Sequence, residues 1–63
     1  MGETEKMATL RSLTTKYAKR ILPLLNTPKA DLSFDEKKDL RTALKNLVHG
    51  DLELINFIDN QWS

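Results

Sequence analysis

The chain has no cysteine, a single histidine and only two glycines, Gly2 and Gly50, among its 63 residues. Without cysteine there is no disulfide and no thiolate zinc site, which removes two of the usual supports of a very small fold. Two distant glycines cannot build a phosphate-cradling loop, and no nucleophile-and-base motif is present, so the expectation is a non-enzymatic protein without a cofactor. No apolar run approaches the roughly 18 residues of a membrane span. The opening MGETEK is charged where a signal peptide would be apolar, so a cytoplasmic protein that does not enter a membrane is expected. Strict apolar and polar alternation is also missing, which leaves no candidate strand.

What is present suffices for a fold. Hydrophobic residues make up 40% and charged residues 30%, ordinary for a globular domain and too apolar for a disordered tail. A chain this short buries only about 60% of the surface it exposes when unfolded. Association with a partner or with itself is therefore the expected further support. The net charge is +1, but residues 1–30 carry +4 and residues 31–63 carry −3. Such complementary halves suit intramolecular packing, head-to-tail association or an anionic partner.

The apolar spacing predicts an all-α fold, a small three-helix domain over residues 7–63 behind a flexible extension of residues 1–6. Met7, Leu10, Leu13, Tyr17, Ile21 and Leu24 recur at intervals of three and four, one face of a long first helix spanning 7–25. Pro23 should kink or end it, with PLL beginning a separate turn. NTPKADL, 26–32, has loop composition, and Ser33 followed by Glu36 forms a capping box for a second helix starting near Phe34. Its core stripe is Leu40, Leu44, Leu47 and Val48, and Gly50 closes it just after His49. Asp51 then caps a third helix from about Leu52 to Asn60, so that a tight His-Gly-Asp turn joins the last two.

Two surfaces stand out as candidate partner-binding sites. In the second helix Lys37, Arg41, Lys45 and His49 form a row of like charge at four-residue spacing. The helix dipole accounts for basic groups in the last turn but not for Arg41 in the middle. Such repulsion costs about 0.2–0.5 kcal/mol per pair, so the row is expected to be a docking edge for an acidic surface, on another copy or on a different protein. In the third helix the apolar arc exceeds half the circumference, and Leu52, Phe57 and Trp62 are expected to anchor a partner. A secondary basic stripe, Lys16, Lys19 and Arg20, lies on the first helix opposite its apolar face, where Tyr17 is expected in the core.

The third helix carries Asp51, Glu53 and Asp59 and no lysine or arginine, so it cannot serve as a DNA recognition helix. His49, Asp51 and Glu53 could be drawn as a metal site, but the helix dipole already gives a histidine reason to sit at a helix end. The run ALKNLVHGDLELINFI, 43–58, resembles the last two helices of ubiquitin-associated domains, which implies a compact three-helix module. The link before the final helix is one residue longer here, and the Met-Gly-aromatic loop through which such domains bind has no counterpart between the first two helices. The expectation is thus a small regulatory or adaptor protein that binds protein through helices and forms a homo-oligomer. The alternative is a nucleic-acid-binding regulator, which requires the two basic stripes to form one surface.

Overall fold

A computed structural model describes residues 3–63, and three of its four α-helices begin at a side-chain cap that the sequence supplies. Thr4 opens α1, Glu5–Tyr17, its hydroxyl accepting from the Met7 amide at 3.2 Å. The helix thus starts two residues before the apolar periodicity does. Glu3 is held by the Arg11 guanidinium, so residues 3–6 of the expected extension belong to the cap and first turn, and residues 1 and 2 lie outside the described residues. α1 ends at Tyr17, well before Pro23. Ala18 leaves helical geometry at φ −148° and ψ 58°, and a 3-10 turn, Lys19–Ile21, leads into a separate short helix α2, Leu22–Leu25.

The single long first helix of the sequence reading is therefore two helices, and the described residues hold four in all. Pro23 sits in the first turn of α2, where its missing amide hydrogen costs nothing, so PLL begins a separate turn as expected, but the first helix has already ended at Tyr17. Within α1 the hydroxyls of Thr14 and Thr15 both donate to the Arg11 carbonyl, at 2.9 and 2.8 Å, back-bonding of the kind that weakens a helix locally. The change of direction at Ala18 brings Ile21 and Leu25 into the core, and both are buried.

Ser33 opens α3, Phe34–Leu47, through a complete capping box: its hydroxyl accepts from the Glu36 amide at 3.1 Å, and the Glu36 carboxylate accepts from the Ser33 amide at 2.8 Å. The chain then reverses through His49 and Gly50, both with positive φ, 51° and 80°. Asp51 accepts from the Leu54 amide at 3.2 Å and starts α4, Leu52–Gln61. α3 is the central element, packed against α1, α2 and α4. Its Leu40 and Leu44, with Val48 just beyond, meet Leu10, Ile21, Leu25, Leu32, Ile58 and Trp62 in the core. Thr14, the one buried polar side chain among them, is satisfied by its bond to Arg11.

Candidate protein-docking face

The like-charged row on α3 divides once α4 is folded beside it. Arg41 donates through Nη1 to the backbone carbonyl of Trp62 at the end of α4. The Lys45 ammonium lies 2.5 Å from the Asp59 carboxylate. The acidic surface expected from another molecule is therefore supplied, for these two residues, by the next helix of the same chain. The arrangement follows from polarity: α3 and α4 run antiparallel through the short reversal, so the negative C-terminal end of α4 falls beside the middle of α3. That answers why a basic residue sits mid-helix at Arg41. Lys37 is half-buried and His49 exposed.

The expected anchors also divide. Trp62 is 2% exposed and packs in the core, which corrects its reading as a partner anchor. The large ring closes the end of the α3/α4 hairpin, and a chain of this size spends such a side chain internally. Phe57 is half-buried against the same core. Leu52 is 73% exposed. Tyr17, expected inside, is 65% exposed because α1 ends there and the core-facing register is carried on by α2; the Lys16 ammonium covers its ring at 5.4 Å from the centroid, a cation–π contact.

The most informative side chain is one that periodicity did not single out. Phe34, the first residue of α3, is 71% exposed. α3 has 14 residues and α4 only 10, a difference of about 6 Å at 1.5 Å per residue. With Trp62 opposite Arg41, the start of α3 extends past the end of α4 and leaves Phe34 exposed. The signal available in the sequence was this mismatch in helix length across a tight reversal. Phe34 precedes Arg41 by seven residues, and Leu52 precedes Asp59 by seven. Seven residues are close to two whole turns. Since Arg41 and Asp59 both lie at the α3/α4 seam, Phe34 and Leu52 mark opposite ends of one face of this hairpin.

The basic stripe of the first helix faces elsewhere. Arg20 lies 3.6 Å from Asp39, both exposed, and Asp39 is about 200° around α3 from Arg41 at 100° per residue. Lys19 is exposed. Arg11 holds Glu3 through Nε and Nη2, at 3.0 and 2.7 Å, and donates to the Asn26 side chain. That bonding, followed by burial acting in the opposite sense, leaves the Glu3 carboxyl below its ordinary value of 4.5. His49, Asp51 and Glu53 do not converge, and among the described residues no three His, Cys, Asp or Glu side chains are placed to hold a metal ion. No helix there is long and apolar enough to cross a membrane. Set beside protein-family models, curated proteins and solved structures, the chain matches none of them.

Proposed function

We propose that this chain is a small regulatory or adaptor protein, acting in the cytoplasm by helix-mediated protein binding and without chemistry of its own. What supports the reading most is the exposure of Phe34 and Leu52 at the two ends of one hairpin face. Full burial of such a side chain is worth about 1.5–3 kcal/mol, and a domain this small has few to leave uncovered. Arg41 and Lys45, tied to α4, act as a rigid frame between the two anchors. Lys37 and Lys38, three and four residues after Phe34, set the sign of the partner surface as acidic.

A nucleic-acid regulator is the weaker reading. Its phosphate track would need the stripe at Lys16, Lys19 and Arg20 to join the row on α3, whereas Arg20 reaches the acidic side of α3 at Asp39. The test is capture from an extract of the native source on immobilised wild-type chain and on the Phe34→Ser, Leu52→Ser double variant, with and without nuclease. The expected outcome is a defined set of proteins retained by the wild type after nuclease and lost from the variant. Identical retention by both chains, or retention abolished by nuclease, would remove the proposal.

A further inference from the structure

We infer that the cleft beside Arg11 on α1 is a binding site for a carboxylate side chain of an acidic protein segment, and that the chain's own Glu3 fills it as a displaceable plug. The site shares no residue with the Phe34–Leu52 face and does not depend on it.

The cleft is open, with a volume of about 530 Å³, and is lined by Glu3, Ala8, Arg11, Ser12, Thr15 and Lys16. Ala8, Ser12 and Thr15 follow one another at intervals of four and three, so they share one face of α1. At 100° per residue Arg11 and Lys16 fall on opposite flanks of that stripe. Short side chains between two basic ones let a bound segment come close to the helix. The Thr15 hydroxyl is already spent on the Arg11 carbonyl at 2.8 Å, so recognition falls to the basic flanks.

Arg11 is held in place from another helix. Its Nη1 donates to the side chain of Asn26, the residue that ends α2, which fixes the guanidinium plane along one edge. The remaining edge, Nε and Nη2, is the planar fork that matches a carboxylate. Glu3 fills that fork, 3.0 Å from Nε and 2.7 Å from Nη2. The kind of group the cleft accepts is therefore visible in the chain itself.

Glu3 is a plug rather than a structural support. It precedes Thr4, the cap of α1, so the helix starts without it. Among the described residues its side chain bonds only to Arg11. Both side chains keep about a third of their surface in solvent, 36% for Arg11 and 34% for Glu3, where an ion pair is weak and a second carboxylate can compete. Charge selects the competitor. The Lys16 ammonium lies over the Tyr17 ring, which leaves one guanidinium for the ligand. A single positive charge balances a carboxylate and falls short of a phosphate monoester, which carries about −1.5 to −2 at neutral pH.

The side-chain Nε–H resonance of Arg11 in the NMR spectrum of the full chain reports on the site directly. A hexaglutamate peptide should shift it saturably, together with the amides of Ser12 and Thr15, while the Nε–H resonances of Arg20 and Arg41 stay in place. Glu3→Gln removes the charge of the plug and keeps its length, and should tighten peptide binding about two- to fivefold, the range over which an exposed ion pair competes. Arg11→Lys keeps the charge and loses the fork, while Asn26→Ala keeps the fork and frees its plane; both should weaken binding at unchanged helical circular dichroism. Inorganic phosphate at equal concentration should leave the peptide bound. The Phe34→Ser, Leu52→Ser chain should bind hexaglutamate as the wild type does, so that this site and that face fail separately. Binding to Glu3→Gln no tighter than to the wild type, a peptide that moves the Lys37 and Lys38 amides but not the Arg11 resonance, or displacement by phosphate would each overturn the inference.

Discussion

Lys45 and Asp59 are fourteen residues apart in sequence and 2.5 Å apart in space, and this pair changes what the basic row on α3 does. From the sequence the row could be seen as repulsive along its own helix, because that depends only on four-residue spacing. Which groups lie across from it depends on the hairpin register, which spacing along one helix does not contain. Exposed pairs contribute about 0.2–1 kcal/mol, and a hydrogen bond from a charged donor about 1.5–3 kcal/mol. Converting both Arg41 and Lys45 to glutamate removes the bond to Trp62 and sets a carboxylate against Asp59. Urea unfolding should therefore show a loss of about 2 kcal/mol, beyond the ±0.5 kcal/mol of an ordinary surface change. Adding Asp59→Lys to Lys45→Glu should recover most of the part due to that pair. An unchanged midpoint in the double glutamate variant would mean that the two contacts hold nothing.

Among the elements, the reversal between α3 and α4 is held by backbone conformation more than by packing. Gly50 sits at φ 80° with no atom within 4 Å of where a Cβ would stand, so alanine there meets no obstacle and only the left-handed backbone opposes it. The expected cost of Gly50→Ala is about 1–2 kcal/mol, whereas D-alanine, placed by chemical synthesis and suited to that φ, should match or exceed the stability of the parent chain. Equal midpoints for the two alanine enantiomers would show that the turn relaxes and that its handedness is not specified. Features of this kind were legible in advance where a residue type has one local use, as with Ser33 and Glu36 at one helix start and Asp51 at the next; the stop was not, since α3 ends at Leu47 and His49, expected in its last turn, already lies at φ 51°. Nor was the break at Ala18, since alanine is the best helix former and the only local feature there is the weak back-bonding of Thr14 and Thr15 to the Arg11 carbonyl. Tertiary packing makes that break by drawing Ile21 and Leu25 into the core. The exposure of Tyr17 and the separate α2 follow from it. The burial of Trp62 has a different origin in α4, whose apolar arc was visible although which part of it would meet α3 was not.

For the whole molecule the question is how much positive charge remains free to meet a polyanion. Arg11, Arg20 and Lys45 have carboxylate partners in Glu3, Asp39 and Asp59, Arg41 is bonded to a carbonyl, and Lys16 lies over the Tyr17 ring. Of the groups left, Lys19 lies in the 3-10 turn after α1, while Lys37 and Lys38 lie together on α3 among Asp35, Glu36 and Asp39. A backbone-tracking site needs several phosphates engaged at once, because each one contributes about 0.9 to the slope of log affinity against log salt. Two or three free lysines on one side then predict a slope near −2 and a dissociation constant no tighter than the non-specific range of about 10⁻⁴–10⁻⁶ M at physiological salt. Duplex DNA and single-stranded RNA should differ little, since α4, the second helix of the hairpin, presents carboxylates where a reading helix would present bases with donors. Titration of both at two salt concentrations, followed by fluorescence anisotropy, measures slope and affinity together. A nanomolar, sequence-selective complex with a steep slope would mean that the paired arginines leave their carboxylates for phosphate, and would put nucleic acid ahead of protein as the partner of this fold.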